Sequence, residues 1–525
     1  MVGRRYRTAI LLAPLVILAI LAGSARAAIE FVDVTGGRLK GEVTNGIASF
    51  TGVPFAAPPI GSLRWKAPQA MVAWHGTRNA NTLAPACAQP WYEWMRVRIS
   101  EDCLYLDVWT AAATRKERRP VMVWIHGGGL TQGGSWESVS NGAKLAPEGV
   151  VLVSIAYRLG AMGFLAHPDL TRESGKSSGN YGLMDVVAAL KWVQANIAQF
   201  GGDPTRVTIF GGSSGGVIVS LLAGAPAAKG LYARAIAQGG VAFYPLPTLK
   251  EAEGLGNDLL KSLGVVDLKS AREIPAATLN AARDKFSYND NDFRHALAEH
   301  ALAIIDGDLI PRDNIYLFEH GRFNDTPILV GYTSNEVGIP AATSADWLAA
   351  KIARLPCKDT HAAIAAAYPY TSDEEAKSAT RHIFRDLGVG LSTWQWARLQ
   401  TAKGRDPAYI YFFDVHGPEH PYGAWHAEEY PYVFGNFPKS PTASQVATSA
   451  LIRKYWVNFA ARGNPNAPGL PLWSAFDERS ESAMVFGDST GSQRLPSMQG
   501  IKAWDALSQC AGPESTQKFL FQDLD

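Results

Sequence analysis

The stretch VTIFGGSSGG, Val207 to Gly216, places two serines between two pairs of glycines directly after a β-branched apolar run. A strand running into such a turn constrains the fold more than any other feature of the chain. The pattern G-x-S-x-G belongs to a sharp strand-to-helix turn that presents a strained nucleophilic serine, because only small residues fit two places before and after it. Both registers satisfy it: Gly211 and Gly215 flank Ser213, while Gly212 and Gly216 flank Ser214. Spacing alone leaves open which serine is the nucleophile.

A turn of this kind needs a parallel sheet to sit on, and the rest of the chain supplies one. Short apolar runs at Leu104–Trp109, Val121–Ile125, Val150–Ala156, Val207–Phe210, Ala233–Ala237, Pro327–Val330 and Ala408–Asp414 alternate with helical patterns. That alternation predicts an α/β class with a mainly parallel central sheet flanked by helices. Leu190, Val193 and Ile197 form one helical stripe within Leu183–Phe200, and Ile452, Tyr455, Trp456 and Phe459 form another; both read as core-facing surfaces. No linker, internal repeat or low-complexity tract divides the chain, so residues 28–525 read as one domain. The more polar helical stretches Leu249–Asp306 and Ala341–Gly404 read as insertions over the sheet that shape a pocket.

The N-terminus carries Arg4, Arg5 and Arg7, an apolar run from Ala9 to Ala22, and Ala25-Arg26-Ala27. A basic start, a short apolar core and an A-x-A site are the signature of a signal peptide over residues 1–27, and the core is too short to serve as a comfortable membrane anchor. Its removal takes away four arginines and no acid, shifting the formal charge from +1 to −3. No basic patch then argues for nucleic acid. Export, secreted or periplasmic, would bring Cys87, Cys103, Cys357 and Cys510 to a compartment where disulfides persist. Spacing does not decide whether Cys357 pairs with Cys510 or both remain free thiols.

Several other patterns fail on mechanism. Gly175-Lys176-Ser177 resembles the end of a phosphate loop, but Leu170 stands where its first glycine is required. His416 to His420 spells H-x-x-E-H, but Gly417 and Pro418 would break the helix that aims two imidazoles at one metal. Asn324-Asp325-Thr326 is a glycosylation sequon followed at once by Pro327. What survives is the nucleophile turn and its accessories. His126-Gly127-Gly128-Gly129 follows the run Val121–Ile125, and such glycines let backbone N–H groups converge on a developing oxyanion. In this fold class the acid and then the histidine follow the serine along the chain. Glu336 is the candidate acid, after Pro327–Val330; His426 is the candidate base, with His416 and His420 as rivals on the same loop.

These residues resemble the type B carboxylesterases, the α/β-hydrolases that include cholinesterases and bacterial esterases. FTGVPFAAPPIGSLRWKAP (Phe50 to Pro68), SEDCLYLDVW (Ser100 to Trp109), YRLGAMGFL (Tyr157 to Leu165), the block Gly179 to Gly216 and YWVNFAARGNPN (Tyr455 to Asn466) match family blocks in order. The family elbow F-G-E-S-A-G-G lays Ser213 on the nucleophile and Ser214 on the alanine. The resemblance implies that Ser214, its hydroxyl a spectator, gives its backbone N–H to an oxyanion hole with Gly128 and Gly129. It implies Glu336 as acid, although Val337 intervenes before Gly338, and His426 as base, with Gly423 and Glu429 in register. It also pairs Cys87 with Cys103, closing a loop worth roughly 3 kcal/mol, and sets Trp91 and Trp94 near the entrance to the site.

Two departures stand out. Gly212 replaces the family glutamate before the nucleophile and Gly239 replaces a family serine, which disfavours a cationic substrate and suggests a polar pair lost together, its space given to substrate or water. The expectation is a secreted serine esterase acting on a small, neutral, apolar ester, with no cofactor and no metal. The alternatives are a non-catalytic binding or adhesion relative and a lipase for long-chain esters.

Overall fold

A computed structural model describes residues 28–93, 95–286, 303–336 and 343–521. The expected signal peptide and Trp94 lie outside the described residues. The central sheet holds eleven strands: β1 (Glu42–Thr44), β2 (Ile47–Pro54), β3 (Tyr105–Thr110), β4 (Arg119–Ile125), β5 (Val151–Ile155), β6 (Gly202–Gly212), β7 (Arg234–Gln238), β8 (Ile328–Thr333), β9 (Ala408–Phe413), β10 (Ser482–Phe486) and β11 (Gly491–Arg494). Their spatial order is β11-β10-β9-β8-β7-β6-β4-β5-β3-β2-β1, so the chain passes over β5 on going from β3 to β4 and over β4 on going from β5 to β6. From β5 through β10 every pairing is parallel. The ends are antiparallel, including the β3 strand that the apolar pattern had placed in the same series.

The middle strands read as unbroken apolar runs because both faces are covered. In β4, Val121, Val123 and Ile125 enter one core while Met122 and Trp124 enter the other. The first core takes α1 (Tyr181–Asn196) and α2 (Ser214–Gly224), with Leu190, Val193, Ile218 and Leu222 fully buried. The second takes Ile452, Tyr455, Trp456 and Phe459 of Ala443–Arg462, the stripe expected from the sequence. One expected insertion is divided: α3 (Asp373–Arg385) lies toward the strand ends, whereas α4 (Leu391–Lys403) packs on β8 and β9 and buries Trp396 completely. Its apolar residues are spread around the helix, so no stripe marked it as part of the sheet layer.

Cys87 is bonded to Cys103, and Cys357 to Cys510, which resolves the pairing that spacing left open. The sequon amide is already in use, since Asn324 Nδ2 donates to the carbonyls of Leu222 and Ala225, each at 2.9 Å. It ties off the end of α2.

Candidate active site

The elbow forms where β6 meets α2. Ser213 has φ 55° and ψ −128°, a left-handed conformation costly for any residue with a Cβ. Two backbone bonds hold it there: its amide donates to the Gln238 carbonyl at 2.7 Å, and the Val217 amide donates to its own carbonyl at 3.0 Å. The flanking glycines are required by contact. A Cβ on Gly215 would stand 2.0 Å from the Ile125 carbonyl oxygen, and one on Gly211 would stand 2.5 Å from Gly215.

Beside the elbow, β4 runs into the glycine loop. Gly128 (φ 105°) and Gly129 (φ 62°) lie in the left-handed region, and Thr131 and Gln132 amides close the turn onto the Gly128 carbonyl. Among the described residues, the amides of Gly128, Gly129 and Ser214 have no protein acceptor. Underneath, burial lowers the His126 pKa to about 4 and keeps the ring neutral; it stacks on Tyr157, whose hydroxyl donates to the His126 carbonyl. The Ser214 hydroxyl, expected from the sequence to be a spectator, accepts the Leu130 amide at 3.1 Å. It therefore pins the glycine loop to the elbow.

The other half comes from the ends of β8 and β9. His426 Nε2 lies 2.8 Å from Ser213 Oγ, and its Nδ1 is hydrogen-bonded to Glu336 Oε2. The second Glu336 oxygen accepts the Thr333 amide at 2.6 Å. Burial of the imidazole opposes its charge, but the Glu336 carboxylate, aided by Glu429, prevails and holds its pKa above the ordinary value. The two loops are strapped together by the Ala424 amide on Ser334 Oγ at 2.8 Å and the Asn335 amide on the Ala424 carbonyl at 2.9 Å. The rival histidines take other partners: His416 sits 3.7 Å from Asp414 and His420 sits 2.9 Å from Glu428. Val337 and Gly338 lie outside the described residues.

The chain matches the carboxylesterase family model over residues 28–504. It belongs to the carboxylesterase family. It is 34% identical to the fumonisin B1 esterase of Sphingopyxis macrogoltabida over 86% of this chain and 85% of that protein, and 34% identical to liver carboxylesterase 1F of Rattus norvegicus over 91% and 93%. Among solved structures it is similar to a PNB esterase, with TM-score 0.79 and 32% identity, covering 91% of this chain and all of that one. The fold is accordingly that of the α/β-hydrolases, and the protein is a carboxylic ester hydrolase.

In this esterase the two departures from the family pattern have different outcomes. A Cβ on Gly212 would lie 1.9 Å from the Tyr430 hydroxyl, so a tyrosine, and neither substrate nor water, occupies the space of the absent side chain. At Gly239 (φ 59°) a Cβ would stand 3.3 Å from Glu336 Oε1 and 3.3 Å from the His426 ring, and no other side chain is that near. Nothing in the letters around Tyr430 signalled this; the loop that carries it must fold back before the fit exists. Next to it, burial and the Glu336 charge push the Glu429 carboxyl up to about 7, and Tyr411 donates to it at 3.1 Å. Trp91 is exposed on its loop, away from any described contact with these residues.

Proposed function

We propose that this esterase works through Ser213, His426 and Glu336 and an acyl-enzyme intermediate. Ser213 Oγ attacks the ester carbonyl carbon while His426 Nε2 takes its proton, and the tetrahedral oxyanion accepts the amides of Gly128, Gly129 and Ser214. The imidazolium then returns the proton to the departing alkoxide, leaving an acyl group on Ser213. Water attacks that acyl carbon as His426 takes its proton, and collapse releases the carboxylic acid and restores Ser213. Glu336 fixes the tautomer with Nδ1 protonated and stabilises the imidazolium. The observation that carries this reading is the unbroken hydrogen-bonded chain from Ser213 Oγ through both ring nitrogens to Glu336.

The substrate class this site favours is a neutral, apolar ester. Gly212 leaves no carboxylate beside the nucleophile, and the nearby carboxyl of Glu429 is driven toward its neutral form. The esterase is exported after loss of residues 1–27, in keeping with two disulfides, and residues 28–525 form one domain. No helix among the described residues is long and apolar enough to cross a membrane. Treatment with a fluorophosphonate followed by peptide mass spectrometry tests the nucleophile. An adduct on Ser213 is expected; one on Ser214, or none on active protein, would overturn the assignment.

A further inference from the structure

Behind the straps that join the Glu336 and His426 loops lies a cavity of about 350 Å³. Ser334 and Gly423 form one wall and Ser378, Arg381 and Arg385 of α3 another, and none of Ser213, His426 or Glu336 lines it. Its charges are unevenly matched. Arg385 is ion-paired with Asp386 at 2.8 Å and also donates to the Ser334 carbonyl at 3.3 Å, while His416 has Asp414 at 3.7 Å. Arg381 has no carboxylate within 4 Å among the described residues; its guanidinium carbon lies over the Tyr422 ring, 3.6 Å from the centroid. A guanidinium seated over an aromatic ring keeps its N–H edge for hydrogen bonding. A planar fork held over a small polar cavity is suited to two parallel bonds to one oxyanion.

We propose that this cavity binds a compact oxyanion, a small carboxylate of the kind ester hydrolysis releases, against Arg381. The link to turnover rests on the proposed role of His426. A negative charge here adds to that of Glu336 on one side of the straps, with Glu429, Arg385–Asp386, His382, His416–Asp414 and the His420–Glu428 pair as the other ionisable neighbours. Added anionic charge stabilises the imidazolium, so less His426 is free to act as base at a given pH. Occupancy therefore slows hydrolysis of an uncharged ester on the acid side of the rate profile and moves its rising limb to higher pH.

The test is titration calorimetry with sodium acetate and, separately, with sodium phosphate at constant ionic strength, on the protein before and after fluorophosphonate block. Binding that survives the block is expected, weakened about tenfold in Arg381→Gln, as loss of a charged hydrogen bond implies, and weakened less in Arg381→Lys, which keeps the charge but not the fork. Acetate alone would identify released product as the source of the ligand; phosphate as well would identify free inorganic anion. Binding lost on block, or unchanged in Arg381→Gln, overturns the site. If fluorophosphonate leaves no adduct, the nucleophile assignment fails, and titration of the untreated protein still tests the cavity. The kinetic arm expects the acetate-dependent shift of the rising limb to vanish in Arg381→Gln; a shift that persists there arises at the active site and overturns the coupling.

Discussion

The nucleophile half and the acid–base half of this site are built from different materials. Around Ser213 backbone packs on backbone: a side chain on Gly127 would stand 2.7 Å from the Gly212 carbonyl oxygen, and one on Gly240 would stand 2.0 Å from the Ser213 carbonyl oxygen. β6 is held on both sides by parallel neighbours, with Ile125 opposite Gly211 and Gln238 opposite Gly212. Glu336 and His426 instead hang on loops beyond β8 and β9, aligned by the Thr333 amide, the Ser334 hydroxyl and one backbone strap. The first half tolerates no added atom, whereas the second is set by bonds that many side chains can make. The difference predicts how each half fails.

The largest effect belongs to the nucleophile. Ser213→Ala should lower kcat by about 10⁴-fold or more and abolish fluorophosphonate labelling, because the group proposed to form the acyl bond is gone. Ser214→Ala should still be labelled and lose about tenfold in kcat, since it frees the Leu130 amide and loosens the glycine loop without touching the reacting oxygen. Equal losses in the two variants would break the distinction between reacting group and scaffold. Within the same half, Gly215→Ala should destabilise the fold by about 3 kcal/mol or more, read from the denaturant midpoint, because its Cβ meets the Ile125 carbonyl and neither backbone can yield.

The acid–base half should fail in chemistry before it fails in folding. Glu336→Gln should lower kcat by about 10³- to 10⁴-fold with the denaturation midpoint nearly unchanged. The pH dependence gives a second reading. In the proposed mechanism His426 must be neutral to take the Ser213 proton, and its pKa is raised by Glu336, so the wild-type rate should fall as pH drops through that raised value. Removing the carboxylate lowers the pKa, and the residual rate of Glu336→Gln should begin to rise at lower pH. A limb that stays in place would mean that another group titrates there.

This contrast also explains what could be read from the chain. The elbow, the glycine loop and all seven of the expected strands of the central sheet are legible because backbone contact and burial on both faces demand particular residues at particular spacings. The edge strands β1 and β11 gave no such signal, since edge pairing asks little of side chains; β2 and β10 are buried, but polar residues and a glycine interrupt the apolar run of β2 and that of β10 is only four residues long. His426 could not be told from His416 and His420 by its neighbours, and the family resemblance, not spacing, singled it out. The space beside Gly212 was misjudged for the same reason: Tyr430 is brought against it by tertiary folding of a loop. Gly212→Glu should therefore lose both stability and activity by colliding with Tyr430, while Tyr430→Ala in the same chain should restore part of both, a coupling of about 1–3 kcal/mol. Additive losses would show that the two positions do not share the space.

The smallest effect probes the straps themselves. Ser334→Ala deletes the hydroxyl that accepts the Ala424 amide at 2.8 Å but keeps the Asn335 amide on the Ala424 carbonyl, so the two loops stay joined at one point instead of two. Leaving one buried amide unpartnered costs about 1–2 kcal/mol, which as misalignment of the Glu336–His426 pair corresponds to a loss of roughly tenfold in kcat. KM for a neutral ester should hardly move, because Ser334 lies behind the pair and not on the substrate side. A fall confined to kcat, with Ser334→Thr restoring it, would show that alignment of the base is carried by a replaceable side-chain bond. A fall shared with the denaturation midpoint would instead place Ser334 with the elbow glycines, as a residue the fold itself requires.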